Sequence, residues 1–263
     1  MNHYPMHRED DMKVRDIFDA LNAWAPLETA MEHDNPGLLI GDPAAEVTGV
    51  LTALDCTDGV IAEAVTRGAN VIVTHHPIIY RPLYRVTAGD PDGDRVRALV
   101  TAGIAVISMH TNLDRAAGGV NDCLADRLGL RDVRLLPGGE DIARMGELPA
   151  PMHTDAFLNH VKAILDVDVL RVSRAEAWVR RVAVGGGACA DYLEAAAAAG
   201  CEALVTSECR HHQFIAAAHM GFLLADATHY ATENVVIRAL TERVRRVCSN
   251  VYAAQTVNPV RFC

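Results

Sequence analysis

The residues best equipped for chemistry are histidines and carboxylates that close short apolar runs. In VIVTHHP (71–77), Val71, Ile72 and Val73 read as a strand that leads straight into Thr74, His75, His76 and Pro77. Ligands of open α/β sheets gather beyond the carboxyl ends of the strands, so two imidazoles at such an end are candidate metal ligands. Adjacent residues there point in different directions, which suits two metal ions or two sides of one site. A pair of histidines that merely caps the core is the alternative this motif leaves open. The next run ends in the same way: ISMHTNLDRAAGGVND places His110 and Asp114 just past Ile107. A parallel neighbour delivers its polar end to the same sheet edge, making Asp114 a candidate ligand and His110 a candidate orienting group or proton carrier. A buried histidine bonded to backbone is the competing reading of His110. In ATHYATEN, His229 and Glu233 lie four residues apart and share one helical face, offering an imidazole and a carboxylate to one point. A surface ion pair is the alternative there. ECRHHQF leaves His211 and His212 open as ligands, substrate contacts or solvent-facing residues at a helix start.

His75, His76, Asp114, His229 and Glu233 together make three imidazoles and two carboxylates with no thiolate. Such a set favours zinc, iron, manganese or another first-row divalent ion over an iron–sulfur cluster or a cysteine zinc site. Two ions about 3.5 to 4 Å apart need a shared ligand or a bridging water; Glu233 is the natural bridging carboxylate, and the water would be the nucleophile. The 7 cysteines (56, 123, 189, 201, 209, 248 and 263) contain no CxxC pair and read as buried or idle thiols of a reducing compartment.

The elements that must position these residues emerge from periodicity. Val14, Ile17, Phe18, Leu21 and Trp24 mark an amphipathic helix over 12–25, stopped by Pro26. Strand, helix and strand then alternate: strands at 47–55, 69–76 and 104–110, with helices at about 59–67, 95–102 and 119–128. The stretch from 131 to 181 is less legible, with a turn at Pro137-Gly138-Gly139 and a helix around 154–165. Alternation returns with strands at 181–187, 202–208 and 221–226, helices at 189–199 and 211–218, a final helix over 230–247 and a last strand. The pattern predicts an α/β protein with mainly parallel sheets in two lobes, 1–130 and 131–263. VIVTHH and ALVTSE form a faint echo between the halves.

Bulk properties narrow the partners. A net charge of −10 argues against a nucleic-acid backbone binder, and no DNA-reading element is visible. Arg81, Arg85, Arg95 and Arg97 still allow a local cationic pocket. No apolar run approaches the roughly 20 residues that span a bilayer. The opening MNHYPMHREDDMKVRD lacks the pattern of a secretory leader, so a cytoplasmic location is expected.

DNPGLLIG (34–41), VTHHP (73–77), HTNLDRAAGGVND (110–122), VAVGGG (182–187) and ATHYATE (227–233), in this order, resemble the NIF-three-like family, also labelled GTP cyclohydrolase type-2-like or dinuclear metal centre hexameric proteins. The resemblance covers about 12–258. It implies two similar α/β lobes packed together, with a metal site in the cleft between them that holds two divalent ions per subunit. It also implies a toroidal homohexamer with the sites facing an internal cavity. Carried over by position, the family's ligands fall on His75, His76, Asp114, His229 and Glu233. The label implies hydrolytic opening of a purine nucleotide such as GTP with loss of formate, and His110 or His212 as proton carrier. A non-enzymatic metal-binding hexamer, acting in metal handling or as a regulatory interaction partner, is the alternative. Pro36 stands where the family often has valine, and ECRHH replaces the commoner Gly-Asp before its histidine, which leaves the roles of Glu208, His211 and His212 open. The chain is too short for the inserted domain of longer members.

Overall fold

A computed structural model describes residues 12–261 and 263; residues 1–11, the greater part of the opening tested for a leader, lie outside them. In chain order the elements are α1 (Val14–Asn22), β1 (Gly37–Ile40), β2 (Val50–Ala53), α2 (Asp58–Arg67), β3 (Val71–Thr74), α3 (Pro91–Ala102), β4 (Ala105–Ser108), α4 (Thr111–Arg115), α5 (Val120–Arg127), β5 (Arg131–Leu135) and β6 (Arg144–His153). There follow α6 (Thr154–Leu165), β7 (Arg171–Val172), β8 (Trp178–Val184), α7 (Leu193–Ala198), β9 (Ala203–Thr206), α8 (His211–Met220), β10 (Leu223–Asp226), α9 (His229–Glu233), α10 (Ile237–Val244) and β11 (Val251–Ala253). Among the described residues no helix is long and apolar enough to cross a membrane.

The chain divides into two compact units. Among the described residues, the first comprises 12–113 together with Ile237–Val257, and the second comprises Asp114–Val236 with 258–261 and 263. The first unit's sheet runs β1-β4-β3-β2-β11, antiparallel at β1 and parallel elsewhere. Alternation splits its strands between two faces: Leu51, Ala53, Ile72 and Val106 pack with Val60, Ile61 and Ala64 of α2 and Leu99 of α3. On the opposite face Thr52 bonds Thr241 of α10 at 2.6 Å. Helix ends carry their expected signals. Thr57 caps α2 and Asp90 caps α3, with Pro91 in its first turn, and Gly68 and Gly103 close the two helices in the left-handed region.

The second unit's sheet runs β5-β6-β8-β9-β10-β7. Val182, Val184, Ala203, Val205, Leu223 and Ala225 face α5 and α6. Ala183, Leu204 and Leu224 face α7 and α8. Parallel ladders join β8, β9 and β10, but β5–β6, β6–β8 and β7–β10 are antiparallel. Over both sheets parallel pairings lead five to four. The faint echo between VIVTHH and ALVTSE has a counterpart in topology. β2-β3-β4 and β8-β9-β10 are each a parallel trio in chain order, with an antiparallel strand beside the last member.

Two expectations are corrected. The final helix does not run unbroken over 230–247: α9 ends at Glu233, a 3-10 turn occupies Asn234–Val236, and α10 begins at Ile237. Asn234 competes with the backbone for hydrogen bonds, and the β-branched Val235, Val236 and Ile237 crowd a regular helix, so the turn tightens there. The terminal strand β11 adds in parallel to β2, so the end of the chain belongs to the first sheet and not to the second half that precedes it.

Candidate metal centre

In the first unit, β2, β3 and β4 are in register at Ala53, Thr74 and Ser108, so the residues just past each strand arrive at one sheet edge. The ladder continues briefly, with His75 and His76 amides donating to Ala53 and Leu54 carbonyls at 3.3 and 3.0 Å. The Thr74 hydroxyl donates to the His76 carbonyl at 2.7 Å, and Ser108 donates to the same oxygen at 3.3 Å, pinning the two-histidine turn. The His75, His76 and His110 rings stand 4.9 to 5.7 Å apart, and one nitrogen of each lies within 4.8 Å of the others.

What decides the chemistry of these rings is the partner of each Nδ1. His75 Nδ1 is 2.8 Å from the Met109 carbonyl, which only accepts, so this nitrogen carries the proton and Nε2 the lone pair. His76 Nδ1 lies 2.7 Å from Asp55 Oδ1, and His110 Nδ1 lies 2.6 Å from Asp34 Oδ1. Burial alone would push the Asp34 carboxyl up. Hydrogen bonds from His110 and Thr111, the His110 charge and the Asn35 amide outweigh it and hold Asp34 below the usual carboxylate range.

The second unit uses the ends of β8, β9 and β10 in the same manner. Glu208 comes after β9, and its Oε1 lies 2.6 Å from His229 Nδ1 at the start of α9. His229 Nε2 lies 2.8 Å from Glu233 Oε2, an ion-pair contact between two groups that could both serve a metal ion. Glu233 is buried and rests on the turn after β8: a Cβ at Gly187, where φ is +64, would meet Glu233 Oε1 at 2.1 Å. Gly186 is equally confined, by Val120 and Glu233. Gly186 and Gly187, in the turn after β8, therefore make a seat for a carboxylate. Asp114, 7% exposed on α4, is tied to this turn. Its carbonyl accepts from Asn121 Nδ2 at 3.2 Å, and Asn121 Oδ1 accepts from the Gly186 amide at 2.7 Å. Burial, and then the Asp114 and Glu233 charges, push the Cys189 thiol up, so it stays protonated beside these acids.

These donors fit a divalent metal. A carboxylate or carbonyl behind Nδ1 is the arrangement that orients a ligating imidazole and raises its basicity. His75, His76, His110 and His229 all have it. The structure does not bring His212 into such a set: His211 and His212 are exposed in the first turn of α8 and join no metal-ligand group among the described residues. The cationic pocket that the sequence allowed is reduced, since Arg95 pairs with Asp58 and Asp92, and Arg97 with Asp94. Sequence reasoning missed Asp34, Asp55 and the orienting use of Glu208. Asp55 sits just past the end of β2, where the strand-end rule applied to the histidines would have found it. Glu208 is the counterpart in ALVTSE of His76 in VIVTHH, whereas Asp34, the first residue of the DNPGLLIG motif, has no spacing that points to His110.

The sequence profile of Duf34/NIF3 (NGG1p interacting factor 3) matches residues 12–259. The chain belongs to this family. Relatives of this Duf34/NIF3 protein include one from Nostoc sp., 34% identical over 255 residues that cover 94% of this chain and 96% of that one. Another, from Clostridium acetobutylicum, is 31% identical over 229 residues, 84% and 85% of the two chains. Both are named GTP cyclohydrolase 1 type 2 homolog. Among solved structures, a Staphylococcus aureus hypothetical protein matches with a TM-score of 0.89 at 29% identity, covering 97% of this chain and all of that one. A Bacillus cereus protein related to NIF3 matches with a TM-score of 0.91 at 24% identity and the same coverage, 97% and 100%, a likeness of fold. The motifs that suggested the Duf34/NIF3 family thus mark true membership, and the buried histidine, aspartate and glutamate groups of this member could bind a metal ion.

Proposed function

We propose that this Duf34/NIF3 protein is a metal-dependent hydrolase in which His75, His76, Asp114, His229 and Glu233 are the residues that would hold two divalent ions, Glu233 being the carboxylate suited to be shared. The observation that carries the reading is the common arrangement of the imidazoles, each held at Nδ1 by a carbonyl or carboxylate with Nε2 as the donor atom. A bound ion pair lowers the pKa of water towards 7 and polarises the bond under attack. The chain's own part is to orient those donors and to move a proton. His110, backed by Asp34, takes it from the attacking water at Nε2; His212, exposed on α8, is the less suited of the two carriers named by the family resemblance.

The names of the relatives support a purine nucleotide such as GTP as substrate, with ring opening and release of formate. The test is formate release from GTP by metal-loaded protein, followed by a phosphoester screen. No turnover in either, with metal content intact, overturns the hydrolase. Glu233→Ala is expected to remove most bound metal and keep the fold; elemental analysis showing wild-type metal would refute the ligand assignment. The same reading includes a cytoplasmic toroidal homohexamer, six times 28.4 kDa or about 170 kDa, checked by light scattering. The family description, an interacting factor, favours a second reading: a non-enzymatic metal-binding assembly that serves regulators or metal handling. His110→Ala separates the two, because only the hydrolase loses function while keeping its metal.

A further inference from the structure

We infer that Asp34 is a positioning residue that locks the His110 imidazole with Nδ1 protonated and Nε2 as the proton-accepting atom. This rests on the hydrolase reading and adds to it the group that sets the proton carrier.

The geometry is specific. The Asp34 side chain is 3% exposed although it lies in an irregular loop, and donors surround it. Oδ1 accepts from His110 Nδ1 at 2.6 Å and from the Asn35 amide at 2.7 Å. Oδ2 accepts from the Thr111 amide at 3.1 Å and, in a short contact, from the Thr111 hydroxyl. That hydroxyl in turn accepts from the Met31 amide at 2.8 Å, so both ends of the carboxylate are fixed. An ionised carboxylate has no proton to give, and therefore the 2.6 Å contact requires His110 to donate through Nδ1. The ring cannot readily turn away, because His75, His76 and Tyr80 stand around it with centroids 5.3, 5.7 and 5.9 Å distant. Nε2 is thus the basic atom. In the hydrolytic step it takes one proton from the attacking water as the new bond to the substrate forms. It returns that proton to the leaving group as the old bond breaks. Asp34 remains an anion throughout and stabilises the transient imidazolium that it faces.

A carboxylate that only braced the loop against α4 would leave the tautomer of His110 untouched, and this separates the two roles. Nitrogen-15 NMR of the metal-free protein reads which ring nitrogen carries the proton. We expect Nδ1–H in the wild type. Asp34→Asn should shift the population towards Nε2–H, because an amide can turn its NH2 to the ring. With metal and substrate, Asp34→Asn should lower kcat by about 10²- to 10⁴-fold, with KM within a few-fold and metal content unchanged. Asp34→Glu, which keeps the charge, should restore the Nδ1–H form and part of kcat, and it serves in place of Asp34→Asn should that variant not fold. An Nε2–H wild type, an unaltered tautomer in Asp34→Asn, or a loss confined to KM would overturn the assignment. Absence of hydrolysis in the wild type sinks the hydrolase reading separately, and the tautomer comparison then decides alone whether Asp34 sets the ring.

Discussion

Gly187→Ala tests the seat of Glu233 while leaving every proposed metal ligand in place. The added Cβ would stand 2.1 Å from Glu233 Oε1 and 3.1 Å from its Cδ, and φ at this position is +64. Contact distances of 3.0 Å or more require the carboxylate to withdraw by about 1 Å, several times the roughly 0.2 Å within which metal–ligand distances are held. The backbone adds its own penalty of about 1–2 kcal/mol for an L-residue in the left-handed region, which lowers Tm by about 2–8 °C in a chain of this size. Gly68→Ala is the matched control: φ is +68 at the end of α2, and a Cβ there meets nothing within 4 Å. Both variants should lose similar Tm when metal-free, while elemental analysis finds metal depleted in Gly187→Ala alone. With metal supplied, Gly187→Ala should then fall further behind Gly68→Ala, because the ligand-linked stabilisation that bound ions would give, about 2.7 kcal/mol at a hundred times Kd, is lost. A folded Gly187→Ala protein with wild-type metal content would refute the claim that this glycine exists to admit Glu233.

Other perturbations probe other links. Asp55→Asn should weaken metal binding by about 10- to 100-fold through the orientation of His76, measured by metal titration; an unchanged affinity would show that the 2.7 Å contact orients nothing of consequence. Arg144, 4% exposed, reaches Asp122 at 2.5 Å and the carbonyls of Asp141, Ile142 and Arg115 at 2.8 to 3.0 Å. Arg144→Met should cost about 3–5 kcal/mol in denaturant unfolding, and a loss below about 1 kcal/mol would contradict the network. Asp34, whose folded pKa is depressed, adds stability that is present above the unfolded carboxylate value of about 3.9 and is lost as pH falls below it. The stability gap between wild type and Asp34→Ala should therefore narrow from pH 5 to pH 3, and a constant gap in urea unfolding would disprove the linkage.

The sequence disclosed most where period and chemistry coincide. The spacing of Val14, Ile17 and Leu21 marks the buried side of α1, and the helix expected around 154–165 is observed as Thr154–Leu165. Apolar runs closed by polar residues located β3, β4, β9 and β10, because a strand covered on both faces has no alternation to hide its ends. The stretch 131–181 resisted reading for the opposite reason. β5 is exposed along its length, and β6 mixes buried and exposed positions around a register irregularity, so neither shows a clean period. Groups that orient the imidazoles were legible only in part. Glu208 and Asp55 come after strands and obey the same rule as the histidines, whereas Asp34 meets His110 across 76 positions of sequence, a pairing set by how a loop folds back.

Two of the seven described non-glycine residues with positive φ, Glu208 and Thr228, flank His229. Thr228, immediately before His229, has φ 70 and ψ 147, a conformation that a β-branched residue avoids, and Glu208, which holds His229 Nδ1, has φ 54. Each such residue costs of order 1–3 kcal/mol and persists only where surrounding bonds impose it. One buried carboxylate supplies those bonds. Asp226, the last residue of β10, accepts from the Thr228 amide through Oδ1 at 3.2 Å and from the Cys209 amide, next to Glu208, through Oδ2 at 3.1 Å. Arg171 joins the same Oδ2 at 3.1 Å. Hydrogen bonds to a charged group contribute about 1.5–3 kcal/mol each, enough to offset the strain at both positions. Two unfavourable backbone conformations and an internal acid thus serve to fix a single imidazole between Glu208 and Glu233.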